Sequence, residues 1–337
     1  MHSFTIDPDI RRACTLASDF YLDPQYFELS RERIFARSWQ FAGRLSEMDQ
    51  LTPITLLDGF LDEPLLFVKG DRGVKSLSNV CTHRGKLLVD RQCAGNLIRC
   101  SYHGRRFDLD GKFISMPDFE GVEDFPSRAD DLHESSTGLL EDFVFVSLEP
   151  AVEFSEIDAE CSAHFENMAG LVFQGSRDYE VNAHWALYCE NYLEGFHIPY
   201  VHHSLNDVVD YGSYTTETSR FSSIQIGYDA DGNVAGRYLF IFPNTMFNFY
   251  PWGVSVNIVK PIAPNRSHIT FLTYVSDETK LDAGAGANLD RVELEDEAVV
   301  ESVQKGIRSR FYDSGRYSPT KERGTHHFHR LIAEFIG

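Results

Sequence analysis

Residues 81–104, CTHRGKLLVDRQCAGNLIRCSYHG, contain two segments that each pair a cysteine with a histidine. Cys81 and His83 are separated by one residue, and Cys100 and His103 by two. Thiolate sulfur and imidazole nitrogen are common metal ligands, and both spacings suit a single turn of chain. The stretch therefore predicts one metal centre that takes a cysteine and a histidine from each of two turns.

Three interpretations of this centre are open. In a Rieske [2Fe–2S] centre both cysteines bind one iron and both histidines the other, which fits the mixed segments. Gly85 and Gly104 follow the histidines and would let backbone N–H groups approach such a cluster. A zinc site is the second interpretation, although its halves usually contain two cysteines or two histidines. The third is a coincidence of structural cysteines and histidines.

The residues around this stretch predict short strands. From 51 to 147, apolar runs are separated by turn pairs such as Asp58-Gly59 and Asp110-Gly111, which is typical of an all-β unit. An acidic segment at 149–168 lacks strand alternation and reads as a crossing between domains. A helical pattern, a strand-rich region from 219 to 276 and a long helix at 288–312 follow, so the second half is α+β.

A second candidate centre lies in CENYLEGFHIPYVHH, residues 189–203. Glu194 and His197 are three residues apart and project from one side of a helix. His202 is five residues beyond His197, about 140° around an unbroken helix, too far to share a metal. Pro199 is expected to end the helix near His197 and let His202 turn back toward it. Alone, the pattern fits a polar helix end as well as a metal site.

A carboxylate on the long helix favours the metal site. Asp296 is expected to lie in the middle of an apolar stripe, whereas Glu295, Glu297 and Glu301 are expected to point away. The stripe comprises Leu289, Val292, Val299, Val300, Val303 and Ile307. A carboxylate that faces a core is costly unless it is paired or metal-bound. With His197 and His202, it would form the facial triad of a non-haem Fe(II) site.

Composition excludes several classes of function. The 337 residues include 31 Lys and Arg against 51 Asp and Glu, a net charge of −20, which argues against nucleic-acid or anionic-membrane binding. Six scattered cysteines and an opening without an apolar signal predict a cytoplasmic protein without disulfides. Six basic residues between 81 and 107 oppose Asp90 alone, which indicates either a docking face for an acidic partner or ordinary surface scatter.

Together these motifs resemble the oxygenase α subunit of the Rieske non-haem iron oxygenases, the ring-hydroxylating large subunits, from about residue 19 to the C-terminus. The resembling segments are FARSWQFAGR, CTHRG, CSYHG, ENYLEGFHIPYVH and ELEDEAVVESVQKGI. The resemblance implies an α+β fold: an all-β Rieske [2Fe–2S] domain and a helix-grip (START-like) catalytic domain with a curved antiparallel sheet. The implied limits are a helical lead-in at 1–45 that packs on the catalytic domain, the Rieske domain at 46–150 and the catalytic domain at 151–337.

The resemblance also assigns residues to roles. Cys81, His83, Cys100 and His103 would hold the cluster, and His197, His202 and Asp296 the mononuclear iron. Glu194 would carry electrons from a cluster histidine to an iron histidine across the subunit boundary of a homotrimer, with Asn191 as a further catalytic residue. Most members have Asp at the position of Glu194, but those that oxidise quaternary ammonium compounds have Glu. Arg105 and His184 stand where Trp and Asn are usual.

The implied function is an oxygenase that hydroxylates or oxidatively demethylates a small substrate, with NAD(P)H electrons delivered by a reductase or ferredoxin. Arg105 and Arg106 would lie where that donor docks. Candidate cavity walls are Phe247, Phe249 or Tyr250, and Trp252, which suit an aromatic ring or a methylated ammonium, although such stripes are often plain core. The different-class alternatives are a non-catalytic iron–sulfur electron carrier and a zinc-stabilised binding module. His326, His327 and His329 are expected to have a surface or packing role near the C-terminus.

Overall fold

The structure is a computed structural model that describes residues 5–71, 73–165, 168, 170–281, 284–286 and 289–337. The chain forms two compact units, one of Met1–Phe35 with Ser155–Gly337 and the other of Ala36–Phe154. The domain limits expected from the sequence, after residues 45 and 150, remain a prediction. Within the described ranges, no helix has the length and apolar content needed to cross a bilayer.

In its described residues, the unit from Ala36 to Phe154 has nine strands in two antiparallel sheets. The larger sheet has the order β1-β9-β8-β4-β3-β2, and the smaller has the order β5-β6-β7. The strands are β1 (Gln40–Arg44), β2 (Leu51–Leu56), β3 (Glu63–Gly70), β4 (Gly73–Ser78), β5 (Ile98–Arg99), β6 (Arg106–Phe107), β7 (Phe113–Ser115), β8 (Glu134–Leu140) and β9 (Phe143–Ser147). Cys81 and Cys100 belong to the apolar core of this unit, which fixes the loops that carry them.

The other unit is built on a seven-stranded antiparallel sheet of order β10-β16-β15-β14-β13-β12-β11. Its strands are β10 (Val172–Val181), β11 (Thr215–Thr218), β12 (Ser222–Tyr228), β13 (Val234–Ile241), β14 (Thr245–Tyr250), β15 (Gly253–Ala263) and β16 (Arg266–Val275). The helices of the chain are α1 (Ser18–Leu22), α2 (Pro24–Leu29), α3 (Phe154–Cys161), α4 (Trp185–Tyr192), α5 (Ile198–Val201), α6 (His203–Asn206), α7 (Leu289–Gly306) and α8 (Arg323–Ile336). The α+β class with an antiparallel catalytic sheet is confirmed.

The sequence pattern did not indicate the last helix of the chain, and it extended α7 to residue 312, whereas α7 ends at Gly306. The histidines of THHFHRL lie on α8. His329 Nδ1 is 2.6 Å from the Tyr317 hydroxyl, and His326 Nε2 is 2.8 Å from the carbonyl oxygen of Asp7. These histidines therefore tie the C-terminal helix to neighbouring segments of the same unit.

Candidate active site and metal centres

The two Cys/His loops have the same backbone hydrogen bonds. The N–H of Cys81 donates to the carbonyl of Lys86 at 2.8 Å, and the N–H of Gly85 donates to the carbonyl of Cys81 at 3.0 Å. The second loop repeats both bonds from Cys100 and Gly104 at the same two distances. Both glycines have positive φ, +69° and +76°, which a side chain would strain. The sequence thus produces two matching turns that present their ligands to one point.

The donor atoms of these turns fit a [2Fe–2S] cluster. The buried thiols of Cys81 and Cys100 lie within hydrogen-bond distance of each other. The rings of His83 and His103 have centroids 4.8 Å apart. Nδ1 of His103 is buried without a hydrogen-bond partner among the described residues, a costly state for a free imidazole. A sulfur pair beside an imidazole pair matches the Rieske division of ligands better than a single tetrahedral metal.

Arg105 is not part of a docking face, contrary to the sequence-based expectation. Its side chain is 2% exposed and pairs with Asp130, with Nη2 2.6 Å from Oδ1. The guanidinium carbon lies 4.8 Å from the ring centroid of Phe113 and 5.6 Å from that of Phe125. A planar guanidinium stacks on aromatic rings, so Arg105 occupies an interior position of the kind an aromatic side chain fills.

The helix that leads into the candidate iron ligands ends earlier than the sequence predicted. Helix α4 ends at Tyr192, and the chain is non-helical from Leu193 to His197. Pro199 does not end this helix, because it occupies the first turn of α5, where a missing N–H costs nothing. The break brings His202 back toward His197, and their ring centroids are 5.0 Å apart.

The structure brings His197, His202 and Asp296 together, with one potential ligand atom from each lying within 4.8 Å of the others. Asp296 Oδ1 is 3.0 Å from His202 Nε2 and 3.5 Å from His197 Nε2. The amide of Asn191 donates to the same oxygen at 2.6 Å. Two imidazoles and one carboxylate are the donor set of a non-haem Fe(II) site. The adjacent His203 is exposed and outside this group.

Each of the two histidines has a carboxylate on its other ring nitrogen. Glu194 Oε1 lies 2.7 Å from Nδ1 of His197, and Glu295 Oε2 lies 2.9 Å from Nδ1 of His202. Such contacts favour the tautomer that leaves Nε2 free for a metal. The expectation that Glu295 points away from the site is therefore wrong. Its other carboxylate oxygen, Oε1, accepts a hydrogen bond from Nε of Arg291 at 3.0 Å.

A cavity of about 120 Å³ opens onto the three clustered side chains. Tyrosines dominate its aromatic walls: Tyr188, Tyr192, Tyr214, Tyr238 and Tyr250. Of the aromatic residues that the sequence suggested as cavity walls, Tyr250 lines the cavity. Phe247, Phe249 and Trp252 do not line it and are buried elsewhere. Strand alternation explains the two phenylalanines, because Asn248 and Tyr250 share the cavity face of β14, whereas Phe247 and Phe249 share the other face, where both pack on Phe165.

Glu293 is a cavity residue that the sequence-based reasoning missed. Its side chain is 4% exposed, and the Tyr188 hydroxyl donates to Oε2 at 2.6 Å. Burial raises the pKa of Glu293 to about 8. The sequence feature that could have identified Glu293 is its spacing of three residues from Asp296, which places both side chains on one side of α7. Val303, assigned to the apolar stripe, is 42% exposed, so the buried face of the helix is rotated toward Glu293.

His184 stands where the resembling family usually has Asn, and it is buried. Its Nδ1 accepts from the N–H of Ala186 at 3.2 Å and caps α4, and aromatic rings surround the imidazole. Burial lowers the pKa of His184 from 6.5 to about 3. Between these values the unfolded chain binds a proton that the folded chain does not, so stability falls as pH falls below 6.5.

The variant His184→Asn is expected to remove this acid sensitivity, because Asn retains a capping oxygen and does not titrate. From pH 6.5 to 4, the free energy of unfolding of the wild-type chain should fall more steeply than that of the variant, by about 1.4 kcal/mol per pH unit. Urea unfolding followed by tryptophan fluorescence measures the difference. Parallel pH profiles would show that His184 is protonated in the folded protein.

Two known domain families match the chain. Residues 38–126, which include all four candidate cluster ligands, match the Rieske [2Fe-2S] domain. Residues 210–337, which include Asp296, match the catalytic domain of the ring hydroxylating alpha subunit. Both families agree with the two centres found in the structure.

Relatives span almost the whole chain. Chloroplastic choline monooxygenase from Arabidopsis thaliana is 29% identical over 97% of this chain and 84% of its own length. The carnitine monooxygenase oxygenase subunit of Escherichia coli K12 is 26% identical over 96% and 94%. The crystal structure of the quaternary ammonium Rieske monooxygenase CntA with L-carnitine superposes with a TM-score of 0.78 and 25% identity, covering 98% of this chain and 97% of that chain.

Naphthalene 1,2-dioxygenase with bound indole shares the fold at 17% identity, with a TM-score of 0.76 over 96% of this chain and 92% of that chain. These findings confirm the resemblance seen in the sequence and leave the electron-carrier and zinc-module alternatives without support. The chain combines a Rieske [2Fe–2S] domain with the catalytic domain of a ring hydroxylating alpha subunit, and the relatives that it matches along nearly its whole length are Rieske oxygenases, which are oxidoreductases.

Proposed function

We propose that this oxygenase uses O2 to oxidise a quaternary ammonium compound. One observation carries the proposal: the group of His197, His202 and Asp296 opens onto a cavity lined by tyrosines and a buried carboxyl, that of Glu293. The choline and carnitine monooxygenases among the relatives, whose names state such substrates, support it.

The tyrosines give the cavity an affinity for cations. Tyr214 and Tyr238 are nearly parallel with centroids 6.5 Å apart, and Tyr250 meets Tyr238 at 77° with a centroid distance of 6.1 Å. Burial raises the pKa of all three phenols, so they are neutral at physiological pH and present π-faces. A methylated ammonium donates no N–H bond and is recognised best by such faces.

His197, His202 and Asp296 would hold Fe(II), which when bound supplies the chemistry that activates O2 for insertion into a C–H bond. One oxygen atom then enters the substrate and the other leaves as water, which requires two electrons and two protons. The chain's own residues orient the ligands: Glu194 and Glu295 fix the two imidazoles, and Asn191 fixes the carboxylate of Asp296.

The electrons come from NAD(P)H through a reductase or ferredoxin and enter at the cluster, as in the family. For the transfer of electrons from the cluster to the iron, we propose that Glu194 contacts a cluster histidine of a neighbouring subunit in a homotrimer. Its Oε1 already contacts His197, and its side chain is partly accessible to such a partner. The solved structure of a similar quaternary ammonium Rieske monooxygenase gives insights into inter-subunit electron transfer in that protein, which supports this route. A cytoplasmic location remains a prediction from the sequence.

The electron donor is proposed to dock on exposed basic residues near the cluster turns. Arg99 and Arg106 lie directly opposite each other on β5 and β6, and both are exposed. Like charges at opposed positions destabilise a strand pair, so a function is expected to maintain them. The double variant Arg99→Glu and Arg106→Glu should slow cluster reduction by the donor at least about tenfold at low salt, and less at high salt.

Stopped-flow absorbance of the cluster measures this reduction. Arg128→Glu is the matched control, since Arg128 is an exposed arginine of the same unit that lies outside residues 81–107. Reduction kinetics that the double variant leaves unchanged would place the docking site elsewhere.

The proposed activity is tested by single turnover, which needs no donor protein. The iron-loaded chain is reduced with dithionite, freed of reductant and mixed with O2 and choline, L-carnitine, γ-butyrobetaine or indole. Oxidised product from a quaternary ammonium compound, detected by mass spectrometry, is the expected result. Product from indole alone would assign the chain to the oxygenases of neutral aromatic rings.

A further inference from the structure

We infer that Glu293 supplies the negative charge that recognises the substrate's cation, and that the cavity selects a monocation such as choline over a zwitterion that also carries a carboxylate. This inference rests on the proposed function and refines its substrate class. It concerns a residue outside the three side chains that would hold the iron.

The first observation is the state of the Glu293 carboxyl. Oε2 accepts a hydrogen bond from the Tyr188 hydroxyl, whereas Oε1 is buried and has no hydrogen-bond partner among the described residues. Glu293 also lines the cavity. A buried acceptor without a partner costs free energy, so a structural role alone does not explain it. A cation in the cavity would offer Oε1 an electrostatic partner in place of the missing hydrogen bond.

The second observation is the charge of the cavity walls. No lysine or arginine lines the cavity in the described part of the chain. Arg291, on the same helix as Glu293, binds Glu295 instead. A ligand carboxylate would therefore be desolvated without a cationic side chain to pair with, which is unfavourable. A cation meets the opposite environment of Glu293 and tyrosine faces.

The charge of the iron site also favours a carboxylate at the position of Glu293. A divalent iron held by two neutral imidazoles and Asp296 has a net charge of +1, which repels a second cation in the same cavity. Glu194 and Glu295 reduce this repulsion from the far side of the two imidazoles, whereas Glu293 offers its carboxylate to the substrate from the cavity wall. The ionisable groups that act on Glu293 are Tyr188, His202, Asp296 and Glu297. Burial raises the pKa of the Glu293 carboxyl, and a bound cation would stabilise its ionised form.

Binding measurements on the anaerobic, iron-loaded chain test the inference without relying on turnover. The probes are choline, its neutral isostere 3,3-dimethyl-1-butanol and the zwitterion γ-butyrobetaine, each titrated by calorimetry. The wild-type chain is expected to bind choline at least about tenfold more tightly than either other probe. Glu293→Gln should weaken choline binding at least about tenfold and leave the neutral isostere within about twofold.

Two further variants separate charge from shape and folding. Glu293→Asp keeps the charge and should recover part of the choline affinity. Glu301→Gln removes a charge from the same helix α7, at a residue that does not line the cavity, and should bind choline like the wild-type chain. Iron content and circular dichroism of every variant establish that the site and the fold are intact.

The possible failures are distinguishable. If Glu293→Gln with a full iron complement binds choline as tightly as the wild-type chain, the role of Glu293 is overturned while the proposed function stands. If γ-butyrobetaine binds the wild-type chain as tightly as choline, the preference for a monocation is overturned. If the neutral isostere binds as tightly as choline, both the inference and the proposed quaternary ammonium substrate fall.

Discussion

Replacing Asp296 with Ala is expected to lower single-turnover product formation by at least about a thousandfold, because the only carboxylate of the proposed ligand set is lost. One iron per chain should be lost with it. The visible spectrum of the cluster should not change, since its proposed ligands all lie in the other compact unit. Elemental analysis, visible absorbance and product formation are measured on the same preparation.

Glu297→Gln is the control for this substitution, because it removes a neighbouring carboxylate of the same helix that does not contact the two histidines. It should retain both iron and activity. An Asp296→Ala chain that keeps its full iron content would remove Asp296 from the ligand set and point to Glu295 as its replacement, given the contact of Glu295 with His202.

Glu194→Gln is expected to slow the oxidation of a reduced cluster by O2 and substrate by about a hundredfold, while metal content stays unchanged. The amide oxygen of Gln can still accept from the backbone N–H of His197, which now donates to Oε2 at 3.1 Å. The substitution removes the negative charge beside Nδ1 of that histidine. Rapid mixing of the reduced protein with O2 and choline, followed at the absorbance of the cluster, gives the rate.

Glu194→Asp tests the length of the side chain separately from its charge. A rate between those of the wild-type chain and Glu194→Gln is expected, since Asp is shorter by one methylene. Equal rates for all three chains would exclude Glu194 from the electron path.

The sequence was most informative where chemistry restricts spacing. The cluster turns followed from Cys81, His83, Cys100 and His103, because few arrangements other than a metal centre need that pattern. Asp296 followed from the cost of placing a carboxylate on an apolar face. Both arguments depend on the spacing of residues within one short segment, which a single sequence contains.

The sequence was least informative where contacts join distant segments. Arg105 read as one more surface charge because its partners, Asp130 and Phe125, lie far along the chain. Glu293 read as one of many acids on α7, since its burial depends on Tyr188 and the sheet. The helix break was expected at Pro199, although the chain leaves the helix at Leu193.

Mixing two inactive variants tests the central claim, that electrons stored in the cluster of one subunit are used at the mononuclear site of its neighbour. Cys100→Ser removes the cluster and Asp296→Ala removes the iron site, and co-expression at equal levels gives hybrid oligomers. In a ring with head-to-tail contacts, about a quarter of the interfaces then join an intact cluster to an intact iron site. The predicted result is about a quarter of wild-type single-turnover product; hybrids with the expected iron content but no activity would contradict the account.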